Sequence, residues 1–358
     1  MKVPMILGIV GCGEVTEHKH LPALRRVPGI RVAALADRDA ATCERVARKY
    51  GITTCRTGIE SLLSVPGLDT VAICVPPAEH AAAALPAIHA GHRVLIEKPL
   101  ALSLEDCDRL IEAATAAKAQ VTVGFHMRWH RQVRVARALL SDGRIGAVES
   151  LRAHWYSPRS DDSLPPWRQR RASGGGALVE LGAHLFDLWR HLIGIEVEKV
   201  FATARSGSRD DESASVCGFS SAGVGVTGSL SERTAHDIGL EICGDRGMLR
   251  LSLLKFDGLE LSALADRPGS PVTRLRRLGS FFANLPAGLR TTHRGGEYLE
   301  SYAAQWAALA DGTDSDRGSA TLMDGRRSLE ICLAALKSAA IGAPVRVGDG
   351  SIDVWRSR

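Results

Sequence analysis

The chain has 358 residues, 45% of them hydrophobic and 24% charged, with a formal net charge of +5. That length exceeds a single core and implies two domains, and the composition excludes a disordered or fibrous protein. The basic residues are dispersed, so no nucleic-acid partner is expected, and the densest group, Arg274, Arg276 and Arg277, reads as a loop or a subunit contact.

Residues 5–10, MILGIV, are a continuous apolar run, the pattern of a strand buried on both faces. MKVPMILGIVGCG is therefore read as a strand and a glycine turn, not as a signal peptide. A helix-like segment follows to about Arg26. RVAALAD (31–37) is a second strand, and DAATCERVARKYG (39–51) a helix closed by Gly51. TVAICVPP (70–77) and HRVLIEKP (92–99) are strands stopped by prolines, with a helix over 78–91 between them. SLEDCDRLIEAATAAKA (103–119) opens with Ser103 and Asp106 in capping-box positions, and QVTVGF (120–125) is the next strand. Alternating strands and helices predict a doubly wound parallel sheet over residues 1–125.

Beyond Phe125 the rhythm changes. A helix over 130–141 leads to the alternating strand AVESLRAHWY, a Pro- and Arg-rich loop, and GGGALVELGAHLFDLWRHL (174–192), expected to be one helix. Residues 197–262 read as strands with turns at GSRDDES, SSAG and CGDRG. This is an α+β domain, 126–358, with a largely antiparallel open sheet. Residues 263–296 are polar, basic and Pro/Gly-containing, and read as a long arm. Helices over 297–311 and 322–341 close the chain. No run approaches the ~18 apolar residues of a membrane span, so no membrane partner is expected. Cys12, Cys43, Cys55, Cys74, Cys107, Cys217, Cys243 and Cys332 form no CxxC pair and no zinc spacing, which fits a reducing, cytoplasmic setting.

GCGEVT (11–16) lies between a strand and a helix, where Gly11 permits a tight turn and Gly13 lets backbone approach a pyrophosphate. Thr16 replaces the usual third glycine. Asp37, 24 residues beyond Gly13, suits a ribose hydroxyl and repels a 2′-phosphate, whereas Arg38 beside it suits that phosphate. NAD and NADP both stand, with Asp37 tipping the reading toward NAD. Glu97-Lys98-Pro99 ends a strand where ligands bind in open α/β sheets, so Lys98 is placed to steady a substrate oxygen. Glu180 and His184 are four apart and share a helix face, with Asp187 and His191 extending it. A metal on this face is weighed and set aside, because no further ligand cluster accompanies it.

Together these pieces resemble the glucose–fructose oxidoreductase / inositol dehydrogenase (Gfo/Idh/MocA) family. The resemblance lies in GCGEVTEHKHLPAL with His20, VAICVPPAEH with His80, AGHRVLIEKPLA, GFHMRW, GGGALVELGAHLFDL and DGRRSLEICLAALKSA. It implies an NAD(P)-dependent oxidoreductase acting on the secondary alcohol or ketone of a sugar, cyclitol or sugar-derived, nucleotide-linked substrate. The family's catalytic lysine falls on Lys98, its catalytic histidine on His184, and its usual Asp on Glu180. Cofactor contacts are expected from Gly11, Cys12, Gly13, Glu14, Val15, Asp37, Arg38, Val75, Pro76, His80, Glu97, Lys98 and His126, the last where relatives often carry Asn. Trp167-Arg168 matches a pair that reaches the cofactor in some relatives.

Arg128, Trp129, Tyr156, Asp187 and Tyr298 are the candidate substrate contacts. The aromatic-and-arginine loop around Trp155, Tyr156 and 167–171 has two readings, a sugar- and anion-binding wall or interdomain packing with solvated charge. Two alternatives to a simple dehydrogenase remain: an enzyme that recycles bound NAD during epimerisation or elimination, and a non-catalytic NAD(P) sensor. The resemblance further implies a homodimer or homotetramer.

Overall fold

The computed structural model describes residues 4–160, 164–266, 270–293, 295–312 and 318–348. The chain divides into two units. The first comprises residues 1–126 together with 302–329, and the second 127–301 together with the residues from 330 onward.

The first unit runs β1 (Met5–Val10), α1 (Leu21–Leu24), β2 (Ile30–Ala36), α2 (Ala40–Tyr50), β3 (Cys55–Arg56), α3 (Ile59–Leu63), β4 (Thr70–Ile73), α4 (His80–His89), β5 (Arg93–Ile96), α5 (Leu104–Ala117) and β6 (Val121–Val123). Its six strands are all parallel, in the order β3-β2-β1-β4-β5-β6. The apolar runs explain this: β4 is buried at every position and β1 at all but one, as a sheet covered on both faces requires. Helix starts and stops follow local chemistry. The Asp39 side chain accepts from Ala41 N ahead of α2, Gly51 ends it in the left-handed region (φ 72°), and Ser103 caps α5 by accepting from Asp106 N. The strand order reverses between β1 and β4, which opens a crevice at their carboxyl ends. Residues 302–329 pack with this unit. Val123 pairs with Ala320, and Arg326 forms an ion pair with Asp108.

The second unit contains α6 (Arg131–Ser141), β7 (Val148–Tyr156), α7 (Ala177–Glu180), α8 (Gly182–Ile193), β8 (Lys199–Arg205), β9 (Ser213–Phe219), β10 (Gly225–Ser231), β11 (Asp237–Gly244), β12 (Gly247–Ser252), β13 (Leu259–Ala263) and α9 (Pro271–His293). Helices α10 (Glu297–Asp311) and α11 (Leu322–Ile341) each contribute residues to both units, and the short β14 (Val345–Arg346) belongs to the second. Eight strands lie in the order β13-β12-β11-β7-β10-β9-β8-β14, antiparallel except for β7 with β10. Alternating burial along β8 and β9 gives one covered and one open face. Helix α8 lies so close to β10 that a Cβ on Gly228 would come within 2.7 Å of Leu185.

Two sequence expectations change. The expected single helix over 174–192 is α7 and α8, joined at Leu181. The expected arm over 263–296 contains the 23-residue helix α9. Pro271 occupies its first position, where the missing N–H costs nothing, so that proline starts a helix. Leu275, Leu278, Phe282 and Leu289 on α9 are exposed, so these leucines and this phenylalanine do not form a buried stripe.

Candidate active site

The glycine loop after β1 is shaped by contacts that only glycine allows. Gly11 has φ +95°, and a Cβ there would lie 2.4 Å from the Cys74 carbonyl oxygen. A Cβ on Gly13 would meet nothing within 4 Å, so this side of the loop is open. Thr16, in the third glycine's place, closes the loop by donating from its hydroxyl to Gly11 O at 2.6 Å. Asp37 accepts from Cys12 N at 2.7 Å and from Asp39 N at 2.9 Å, so its carboxylate is pinned to the loop. Arg38 donates to Glu79 at 3.1 Å. Glu14 is exposed, Val15 precedes the turn of helix at Thr16–His20, and Val75 and Pro76 lie half-buried after β4. The open flank at Gly13 and the anchored carboxylate fit a dinucleotide.

His80 differs from its expected role. It is 1% exposed, and its ring nitrogens face Pro99 O at 2.8 Å and Val75 O at 3.0 Å. Burial holds it below the usual histidine range, and the ring, enclosed between these two carbonyls, braces the loops after β4 and β5. His126 is also fully buried, stacked on Tyr302 with centroids 4.0 Å apart.

Glu97 is buried beneath Lys98. It accepts from Lys98 N at 3.1 Å and contacts His20 Nε2 at 3.0 Å. Burial pushes its carboxyl up, but the His20 hydrogen bond and the neighbouring charges outweigh it and hold it below the usual carboxylate range. Gly124 makes room, since a Cβ there would lie 2.9 Å from Glu97 Oε1. Trp306 donates from Nε1 to His20 Nδ1 at 3.0 Å, which fixes the tautomer with its proton on Nε2, toward Glu97. Lys98 is thus set on a braced strand end, and its bond to Pro99 is cis. The sequence reading missed Tyr302 and Trp306, which are far from the motif and look like ordinary apolar positions of a helix.

In the second unit, His184 is 4% exposed, with its ring flat against Trp155 at 4.9 Å. Glu180, equally buried, accepts from Arg159 Nη2 at 3.0 Å, and Arg168 Nε lies 3.5 Å from the same oxygen. Arg168 also sits over the Trp167 ring, 5.1 Å from its centroid. Arg159 continues to Glu232, 3.8 Å away, whose other oxygen accepts from Arg209 at 2.7 Å. Burial, reinforced by the charge of Glu180, pushes the Glu232 carboxyl up to about 7. Arg159, Arg209 and Glu232 lie at loop positions without periodicity, and no sequence signal pointed to them.

The glycines before His184 lie against protein atoms. A Cβ on Gly175 would lie 2.1 Å from Arg168 O, one on Gly176 (φ +87°) 3.1 Å from Asp210 O, and one on Gly182 2.9 Å from the Phe186 ring. Arg128 and Asp187 form a buried two-pronged pair, with Arg128 donating at 2.8 and 2.5 Å. These bonds commit the two side chains to each other. Trp129 is buried, and Tyr298 is half-buried in the first turn of α10. Tyr156 follows Trp155 along β7, so the two point to opposite faces. Tyr156 donates to Ser229 Oγ at 3.1 Å and lines a trough of about 1170 Å³ on the open face, away from His184.

Comparison with known proteins agrees with this architecture. Residues 5–125 match the oxidoreductase family with an NAD-binding Rossmann fold, and 133–250 match the GFO/IDH/MocA C-terminal domain. A scyllo-inositol 2-dehydrogenase (NAD(+)) of Bacillus subtilis is 25% identical over 349 residues, 95% of each chain. A dTDP-3,4-didehydro-2,6-dideoxy-alpha-D-glucose 3-reductase of Saccharopolyspora spinosa is 32% identical over 193 residues, 54% of this chain and 57% of its own length. The chain spans little more than half the length of several such curated relatives. A solved structure assigned to a myo-inositol dehydrogenase of Sinorhizobium meliloti 1021 superposes with a TM-score of 0.75 at 25% identity, over 96% of this chain and 100% of that one. Two matched domain models that together cover more than half of the chain, over the folds those domains require, place it in the GFO/IDH/MocA family of oxidoreductases.

Proposed function

We propose that the chain is an NAD(P)-dependent oxidoreductase that moves hydride to or from a secondary alcohol or ketone of a sugar, cyclitol or nucleotide-linked sugar. The observation that carries this reading is the Gly11–Gly13 loop, open at Gly13 and bonded through Cys12 N to Asp37. Gly11, Cys12, Gly13 and Asp37 would hold the dinucleotide, whose nicotinamide supplies the hydride acceptor or donor. Lys98, steadied from below by Glu97, stabilises negative charge on the reacting oxygen. His184 exchanges the hydroxyl proton, because an imidazole titrates near neutrality. Glu180 holds Arg159 and Arg168, so it organises the wall beside His184.

The test is a screen of cyclitols, sugars and nucleotide-linked keto-sugars with each cofactor, followed by nicotinamide absorbance. Once a substrate is found, Lys98→Ala and His184→Ala should each lower kcat by at least ~100-fold, the usual worth of a positioned proton carrier or oxyanion partner. Unchanged turnover in both would refute the assignment.

We further assign cofactor binding to the unit built on residues 1–125, and substrate binding and self-association to the second unit, as a homodimer or homotetramer through the open sheet face. Exposed Phe201 and Phe219 on that sheet support the last point. The eight cysteines are all free thiols, which supports a reducing, cytoplasmic location.

A further inference from the structure

The glycine loop leaves the carboxyl end of β1, which lies between β2 and β4 in the sheet. Arg38 stands two residues past β2, and Glu79 in the turn Pro77–Glu79 after β4. Their ion pair, Arg38 Nη1 to Glu79 Oε1 at 3.1 Å, therefore reaches across the end of β1. It is a strap over the part of the crevice that adjoins Asp37.

The charges around this point are unequal. Asp37 spends its carboxylate on the amides of Cys12 and Asp39. Asp39 caps α2 and accepts from the Thr42 hydroxyl at 2.6 Å. Arg56, on neighbouring β3, turns its guanidinium to the Cys55 carbonyl at 2.9 Å. Arg38 is the cation next to Asp37 in sequence, and Glu79 neutralises it. A 2′-phosphate arriving here would meet Asp37, Asp39 and Glu79 together with an arginine already engaged.

We propose that Glu79 is a cofactor-selectivity residue, which holds Arg38 across the crevice and so favours the dinucleotide without a 2′-phosphate. The inference rests on the proposed cofactor site. It settles the conflict between Asp37 and Arg38 through a third residue from a different strand end. Arg38 and Glu79 have side-chain exposures of 79% and 44%, so their effect is an exposed, salt-sensitive one.

The test is equilibrium binding of NADH and NADPH to the purified protein, read by nicotinamide fluorescence, with no turnover required. The wild type should bind NADH more tightly. In Glu79→Gln the ratio of the NADPH to the NADH dissociation constant should fall by about fivefold at low salt, the scale of an exposed charge pair. The change should shrink at ~0.5 M salt and vanish in the Glu79→Gln/Arg38→Ala double variant. An unchanged ratio in Glu79→Gln, a gain that survives Arg38→Ala, or a wild type that prefers NADPH overturns the proposal. A wild type that binds neither nucleotide overturns the cofactor site itself and this inference with it, so the two failures are told apart.

Discussion

Trp155 lies flat on His184, with ring centroids 4.9 Å apart and planes 11° from parallel. The indole comes from the middle of the sheet and the imidazole from α8, so the stack fixes a ring that a single helix would leave free to rotate. Trp155→Phe keeps an aromatic face and should hold kcat within about twofold. Trp155→Leu removes the face and should lower kcat by about tenfold, in line with ~0.5–1.5 kcal/mol for an aromatic pair. Steady-state kinetics on a confirmed substrate would check this; equal activity in both variants would count against a positioning role.

Gly182 stands at the first position of α8, where alanine would be the better helix former by ~1 kcal/mol. Its missing Cβ is occupied by the Phe186 ring, 2.9 Å from where that atom would sit. Gly182→Ala should therefore destabilise the protein by ~1–3 kcal/mol despite its propensity. Gly182→Ala/Phe186→Leu should recover part of the loss, measurable by urea unfolding.

Arg128 and Asp187 are 6% and 1% exposed. Removing one partner strands a buried charge, so Asp187→Asn should cost ~3–5 kcal/mol. An Arg128→Met/Asp187→Leu double variant should be closer to wild type than Asp187→Asn. If the single variant is instead fully stable but cannot use substrate, the pair's role is in binding.

Glu232 makes folding pH-dependent. Its carboxyl rises from 4.5 in the unfolded chain to about 7 in the native fold, so the native state holds more protons between those values. Stability from this group is complete below 4.5 and is lost as the pH climbs through about 7, by an amount on the order of 3 kcal/mol. Glu232→Gln should flatten that slope in urea titrations run across this range. A slope that persists in the variant would assign it to other groups.

Much of the fold could be read in chain order because its signals are local. β1 and β4 announce themselves as apolar runs, and the helices ending at 311 and 341 by their amphipathic period. α9 escaped because several of its large apolar residues, among them Leu275, Leu278, Phe282 and Leu289, are exposed and its prolines and arginines resemble a loop. The site was legible where a motif fixes backbone, as at Gly11, and illegible where it depends on partners from distant loops. Glu180 illustrates this: spacing placed it beside His184, and nothing in the spacing could show Arg159 and Arg168 waiting for it. Tyr156 was recoverable in principle, since strand alternation already sets it on the opposite face from Trp155.

The contact between Trp306 and His20 joins residues 286 positions apart. During synthesis, His20, Glu97 and Lys98 leave the ribosome long before Trp306 does. The Rossmann sheet can form early, but its buried His20 waits for a partner encoded far downstream. A nascent chain halted before residue 302 would carry Lys98 and Glu97 without the contacts of Trp306 to His20 and Tyr302 to His126. The catalytic machinery proposed here is completed by a segment made long after its lysine.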